Sequence, residues 1–160
     1  MVLLKKRIPG ATEALFERFV RRASRAVKLT GSVNVLITND REMRSLNRRF
    51  CGKDAATDVL SFRAAPGLPG KLAGDLAISA DIAGDNAEQF GHTRVEEIKI
   101  LILHGVLHLA GYDHERDGGR MAKKEDQLRA ALKLPVTLIS RTMVGRTTAA
   151  KASATRGRKA

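Results

Sequence analysis

The chain has 160 residues, which is long enough for one domain to bury a sizeable hydrophobic core without support from repeats. Its 29 lysines and arginines against 17 acidic residues give a formal net charge of +12, which disfavours cationic partners and makes a polyanion such as RNA the expected one. The single cysteine, Cys51, excludes an intrachain disulfide, and with no signal peptide or membrane-spanning run expected we predict a cytoplasmic protein.

The first half of the chain alternates predicted strands with predicted helices. Strands are predicted where apolar residues alternate or cluster, over residues 2–4, 33–37, 59–62 and 75–79. Helices are predicted where apolar residues recur at helical spacing, over residues 12–28 and 41–50. Thr12 and the Asn39-Asp40 pair are suited to cap the two helices. The cluster Pro66–Gly70 predicts a flexible connection.

The second half is predicted to be helical up to Pro135. The helical pattern runs from Asp81 to Phe90, pauses, and resumes from Val95 into a segment that contains three histidines. That second helix is apolar on most sides, so we place it in the core. A last helix is predicted from Gly119 to Leu132.

The C-terminal segment differs in composition from the rest of the chain. Residues 134–160 contain six basic residues and no acidic one, which leaves 23 basic and 17 acidic residues, a charge of +6, for residues 1–133. The segment is too small and polar to bury a core, so we predict a domain over 1–135 and a basic, disordered C-terminal arm over 136–160. The arm either contacts RNA through salt-sensitive attraction or is an inert tail.

The run HGVLHLAGYDH, from His104 to His114, has the spacing of a metal site. His104 and His108 are four residues apart, which is about one helical turn and roughly 6 Å of rise, so both imidazoles project from one helix face. Gly111 is a good left-handed helix terminator, which lets the chain turn back and bring in His114. Three imidazoles leave a tetrahedral zinc ion one open position, as catalytic zinc requires.

A single histidine on an apolar helix is more often a core residue with a satisfied hydrogen bond than a metal ligand. Three histidines at this spacing favour the metal site, because a buried ring nitrogen without a partner costs about 1–3 kcal/mol. His92 lies outside the pattern, and a loop or capping role is the better interpretation for it.

The spacing H-x-x-x-H-x-x-G-x-x-H also occurs in metzincin proteases. Those enzymes have a glutamate directly after the first histidine as general base, whereas this chain has Gly105, which cannot move a proton. A metalloprotease is therefore the disfavoured alternative.

Three blocks of the sequence resemble the bacterial YbeY family. The family pattern H-G-x-L-H-L-x-G-Y-D-H is met at every fixed position from His104 to His114. Upstream, the matching residues are Leu46-Asn47, Asp54, Thr57 to Phe62, and Gly74-Asp75-Leu76. The blocks have the family's order and separation, and the resemblance spans roughly Val33 to Leu132.

The resemblance implies an α+β fold, with a small, mixed, mostly parallel four-stranded sheet packed by helices in a zincin-like metallohydrolase arrangement. It also implies one Zn²⁺ ion per chain and single-strand endoribonuclease activity in the maturation and quality control of small-subunit ribosomal RNA. The expected partner is therefore the small ribosomal subunit and its RNA, with no DNA or membrane partner, and the oligomeric state stays open. A second alternative is a non-catalytic ribosome assembly factor in which zinc only holds the fold. Nickel or another imidazole-binding ion also stays open.

One departure from the family concerns an arginine. Where the family has Tyr-Arg, this chain has Phe50-Cys51, and Ala56 replaces a usual proline. The role of the family's arginine is therefore either vacant here or taken by Arg48, Arg49 or Arg63, since a guanidinium pairs well with phosphate, and we predict Arg49 as the catalytic one. The neighbouring basic residues Arg48, Lys53 and Arg63 are predicted to bind RNA.

Two further residues near these motifs have alternative interpretations. Asp113, predicted as catalytic, either orients a ligand imidazole or caps the turn, and the two are equally supported. Cys51 is better explained as a small loop residue than as a fourth ligand or a redox switch.

Overall fold

A computed structural model describes residues 1–65, 71–113 and 115–136. Three predictions lie outside the described residues: the Pro66–Gly70 connection, the placement of His114, and the C-terminal arm from residue 137 onward.

The described strands form one four-stranded sheet. They are β1 (Val2–Leu4), β2 (Ser32–Thr38), β3 (Val59–Arg63) and β4 (Leu72–Ser79), in the order β1-β2-β4-β3. β2 pairs in parallel with both β1 and β4, and β3 pairs antiparallel with β4. This confirms the predicted mixed, mostly parallel sheet. β4 begins three residues before its predicted start at Asp75, because Leu72 pairs with Ser32 and Gly74 with Arg63.

The described residues form five helices around the sheet, as predicted. They are α1 (Glu13–Ala26), α2 (Asp40–Cys51), α3 (Ala80–Phe90), α4 (Arg94–Leu109) and α5 (Arg120–Ala131). Thr12 caps α1 by accepting a hydrogen bond from the Leu15 N–H, and Thr93 begins α4 with a reciprocal capping box to Glu96. In the described part of the chain, no helix has the length and hydropathy needed to cross a bilayer.

The two faces of the sheet carry different layers. Alternate strand residues face a large core built with α1, α4 and α5, while the intervening residues face a small cluster under α2 that contains Met43, Leu60 and Phe62. α4 lies within the large core, and all its residues from Ile100 to Leu109 are buried. The prediction that this helix is buried is therefore confirmed, and its histidines lie on the face of the sheet opposite α2.

Glycine allows the C-terminal half of α4 to lie close against the sheet. A Cβ atom on Gly74 would stand 2.4 Å from the Phe62 carbonyl oxygen and 2.6 Å from Leu109 Cδ2. Any side chain here would push β4 away from β3 and α4, because real Cβ contacts are longer than 3 Å. The family-like Gly74 thus sets the distance between the sheet and the histidine-bearing helix.

Candidate metal centre

Two histidines meet on one buried face of α4. His104 and His108 are 2% and 3% exposed, and their Nε2 atoms lie 3.1 Å apart. The ring centroids are 4.8 Å apart and the ring planes are inclined at 74°. The sequence spacing of four residues therefore brings the two imidazoles together, as predicted.

The opposite nitrogens of both rings are held by acceptors. His104 Nδ1 lies 2.7 Å from Glu125 Oε1, and His108 Nδ1 lies 3.1 Å from the Tyr112 carbonyl oxygen. A carboxylate and a carbonyl oxygen can only accept, so each Nδ1 carries a proton and donates it. In the neutral form of each ring, this places the proton on Nδ1 and the lone pair on Nε2.

The tautomers fit a shared cation. Two nitrogen lone pairs that face each other at 3.1 Å repel, and a positive charge between them, a proton or a metal ion, removes the repulsion. Two nitrogens bound to one tetrahedral zinc lie roughly 3.3 Å apart, which is close to the observed separation. Within residues 1–65, 71–113 and 115–136, no group of three or more His, Cys, Asp or Glu side chains is placed to hold a metal. The described residues thus include two of the three predicted ligands, His104 and His108.

The chain turns back directly after α4. Gly111 has φ +102° and donates its N–H to the His108 carbonyl at 3.0 Å, while the Tyr112 N–H donates to the Leu107 carbonyl at 3.1 Å. This confirms Gly111 as the left-handed terminator. The same turn brings the Tyr112 carbonyl onto the His108 ring, so helix termination and imidazole orientation share one structural cause.

Gly105, the position of the metzincin glutamate, faces the sheet. A Cβ atom there would stand 2.6 Å and 2.9 Å from the two methyl carbons of Leu76 on β4. The position therefore has no room for a side chain, which adds a steric reason to the missing general base.

Arg63 is the predicted RNA-binding residue that contacts the histidine helix. Its Nε and Nη2 atoms both donate to the His108 carbonyl, at 3.1 and 2.9 Å. A cation at the C-terminal end of a helix stabilises the carbonyls that lack helical partners. Arg63 thus braces the last turn of α4, and its predicted RNA contact stays a prediction.

The other predicted RNA and catalytic residues lie elsewhere. Arg48 and Arg49 are exposed in the last turn of α2, and Lys53 follows it, on the side of the sheet opposite α4. Arg44 donates to Asp54 at 2.7 and 3.0 Å, ties the following loop to α2, and holds the pKa of the Asp54 carboxyl below its usual range. Arg48, Arg49 and Lys53 together form what we call the basic end of α2.

Asp113 makes a turn contact. Its Oδ1 atom accepts the Glu115 N–H at 3.1 Å, and its Oδ2 atom lies 3.9 Å from Arg116 Nε. The hydrogen bond is that of an Asx turn, one of the two interpretations left open by the sequence. The contacts that orient the imidazoles of His104 and His108 come instead from Glu125 and the Tyr112 carbonyl.

Comparison with known proteins identifies the family. Residues 4–133 match the family model described as Endoribonuclease YbeY. The chain belongs to the endoribonuclease YbeY family. It is 54% identical to the protein named Endoribonuclease YbeY of Koribacter versatilis, covering 89% of this chain and 91% of that one, and 55% identical to the namesake of Solibacter usitatus, covering 78% and 82%.

A solved structure supports the fold class. The solution structure of TM1509 from Thermotoga maritima superimposes with a TM-score of 0.53 at 27% identity, and it covers 83% of this chain and 92% of that one. The predicted YbeY resemblance and the fold class are thereby confirmed.

Cys51 and His92, the cysteine and the remaining histidine of this YbeY-family chain, lie apart from the histidine pair. Cys51 ends α2 and packs into the small cluster on the opposite face of the sheet. His92 lies in the loop between α3 and α4, as expected, but its side chain is buried, with Nε2 2.7 Å from Glu97 Oε1. His92 thus belongs to a buried pair that links this loop to α4.

Sequence reasoning missed the partners of His104. Glu125 and Arg129 on α5 are 7% and 2% exposed, and Arg129 Nη2 lies 2.7 Å from Glu125 Oε2. Met121, Glu125 and Leu128 share the buried face of α5 at spacings of four and three residues. The sequence offered one signal for this pairing: Glu125 is a charged residue on the apolar stripe of a helix, and such residues are almost never fully buried unless they are paired.

Proposed function

We propose that this chain is a zinc-dependent endoribonuclease that cuts single-stranded RNA during small-subunit ribosomal RNA maturation and ribosome quality control in the cytoplasm. The observation that carries the proposal is the pair of Nε2 atoms 3.1 Å apart, with both Nδ1 protons engaged, in a member of the endoribonuclease YbeY family. The net charge of +12 supports a polyanionic substrate, and a chain with a single cysteine suits a reducing compartment.

The protein's own groups have separate roles in the proposed reaction. His104, His108 and His114 would hold the ion, which supplies Lewis acidity toward a phosphate oxygen and a hydroxide source at neutral pH. Glu125 and the Tyr112 carbonyl hold the Nδ1 protons and so keep the Nε2 atoms of His104 and His108 as ligands. The basic end of α2 and Arg63 would attract the phosphate backbone.

The test measures metal content and cleavage together. We expect about one zinc per chain in the purified protein by elemental analysis, and cleavage of a single-stranded ribosomal RNA fragment but not of casein. His104→Ala, His108→Ala and His114→Ala should each lose both zinc and cleavage. His92→Gln is the matched control, because it alters the histidine outside the site and should retain zinc.

The outcomes separate the alternatives. Casein cleavage that depends on His108 would support a metalloprotease, against which the closed space at Gly105 argues. Zinc and binding to the small ribosomal subunit without RNA cleavage would support an assembly factor. A parent protein that binds no divalent metal would contradict the proposal.

A further inference from the structure

α5 carries a buried ion pair on its apolar face. Arg129 and Glu125 lie one helical turn apart, their Nη2 and Oε2 atoms are 2.7 Å apart, and both side chains are more than nine-tenths buried. Removing two charges from water is costly, and a pair of apolar residues is often as stable as a buried ion pair. Stability alone therefore does not explain why the apolar face of α5 carries Glu125 and Arg129.

The second oxygen of the same carboxylate reaches the metal site. Glu125 Oε2 accepts from Arg129, while Glu125 Oε1 accepts the Nδ1–H of His104 at 2.7 Å. Arg129 favours the ionised carboxylate and fixes its plane, and the carboxylate fixes the orientation and tautomer of the imidazole. A continuous chain of short contacts thus leads from α5 to the Nε2 atom of His104.

The two histidines differ in the partner that holds them. His108 donates to a neutral backbone carbonyl within its own turn, whereas His104 donates to an anion 21 residues further along the chain. A carboxylate partner raises the basicity of a ligand imidazole more than a neutral one does. The site therefore depends on α5 for the stronger of the two supports.

We propose that the Arg129–Glu125 pair positions His104 and sets the metal affinity of the site, so that docking of α5 against α4 completes the metal centre. The inference rests on the proposed zinc site. Glu125 acts through His104, so it is a positioning residue and not a catalytic one. By linkage, a metal ion that binds better when α5 is docked must also stabilise the docked helix.

The first experiment measures separately how the charge of Glu125 and its role as hydrogen-bond acceptor contribute to Zn²⁺ affinity. Glu125→Gln with Arg129→Met keeps an acceptor for His104 and removes both charges, so no buried charge is left without a counter-charge. Glu125→Leu with Arg129→Met removes the acceptor as well. Competition with a chromophoric chelator should show Zn²⁺ affinity weakened about tenfold in the first variant and about 100-fold in the second. Asp126→Asn, an exposed neighbour on α5, is the matched control and should leave the affinity unchanged.

Controls distinguish positioning from a general structural role. Each variant is first shown by circular dichroism to be folded in EDTA, and Co²⁺ absorption then reports the ligand geometry in the folded protein. Parent-like Zn²⁺ affinity in the folded Leu/Met variant would overturn the inference. Absence of Zn²⁺ binding by the parent would instead overturn the proposed function.

A second measurement needs no variant. Hydrogen exchange of the α5 amides in the parent should slow when Zn²⁺ is added, with a larger change than in α2, which packs on the opposite face of the sheet. Equal exchange of α5 with Zn²⁺ and with EDTA would contradict the coupling of α5 docking to the metal.

Discussion

Two helical glycines provide a test of how tightly α4 lies against the sheet. Gly105 lies in α4 between the two histidines, and Gly84 lies in the middle of α3. Alanine is favoured over glycine inside a helix by about 1 kcal/mol, so Gly→Ala gains the same amount from propensity at both sites. The sites differ in what the new methyl group meets, and the predicted effects on stability have opposite signs.

At Gly105 the neighbour cannot move away. The new Cβ would stand 2.6 and 2.9 Å from the methyl carbons of Leu76, which is 2% exposed, whereas carbon atoms normally approach to about 3.5–4.0 Å. Overpacking of this kind costs about 1–3 kcal/mol. After the gain in propensity, we expect Gly105→Ala to lower the free energy of unfolding by up to about 2 kcal/mol.

At Gly84 the neighbour is the end of a flexible side chain. The new Cβ would meet the guanidinium of Arg94, with Nη2 at 2.4 Å, and this group can rotate away into solvent. We therefore expect Gly84→Ala to raise the free energy of unfolding by about 0.5–1 kcal/mol.

Urea denaturation in EDTA measures both variants without a contribution from bound metal. Leu76→Val, which withdraws the two methyl carbons, should partly rescue Gly105→Ala in a double-mutant cycle, with a coupling energy of about 1 kcal/mol. Stabilisation by Gly105→Ala equal to that by Gly84→Ala would refute the close contact between α4 and β4.

Three further predictions concern charged residues. Lys6 and the Asp40 N–H lower the pKa of Asp81, so the stability that this carboxylate contributes is present above about pH 4 and is lost as the pH falls through its folded pKa. Asp81→Asn should therefore be less stable than the parent at pH 6, and urea denaturation at a series of acid pH values should show this difference shrinking below pH 4. A difference that stays constant with pH would contradict the prediction. Arg63→Lys keeps the charge but not the paired donation to the His108 carbonyl, so the free energy of unfolding should fall by about 1 kcal/mol while RNA affinity at low salt is unchanged. A loss of RNA affinity without a loss of stability would contradict the bracing role. Neutralising Arg48, Arg49 and Lys53 to Gln should flatten the salt dependence of single-stranded RNA binding by a slope of about 2, and an equal effect from the exposed α1 control Arg18, Arg22 and Arg25 would refute a specific role.

Local patterns predicted the elements of the fold well. The alternation at Val33, Val35 and Ile37 and the caps Thr12 and Asn39 act within a few residues, so the sequence contains them in full. Gly111 is similar, because its left-handed conformation ends α4 by contacts to the preceding turn. The mixed, mostly parallel arrangement of the sheet came from the family resemblance instead, and the strand order β1-β2-β4-β3 was not predicted, because pairing partners far apart in sequence leave no periodic signal.

The candidate site was predictable only as far as its local spacing. His104 and His108 share a helix, so their convergence follows from helical geometry. The contact between Glu125 and His104 joins two residues that are 21 positions apart and lie on different helices. No local rule predicts which residue of α5 faces His104. Asp113 makes a local contact, since its carboxylate accepts the N–H of Glu115 in its own turn, and its predicted role toward an imidazole stays a prediction because His114 lies outside the described residues.

β3 explains how two blocks of the family pattern can act on opposite sides of one sheet. Leu60 and Phe62 pack under α2, beside its basic end, while Arg63 and the buried Ser61 lie on the α4 side, where Arg63 reaches His108. A shift of β3 by one residue would exchange the two sets, placing phenylalanine at the histidine helix and arginine under α2. Because the antiparallel register with β4 pairs Arg63 with Gly74, the residue that also sets the closeness of α4, one strand pairing fixes both the brace on α4 and the packing of α2.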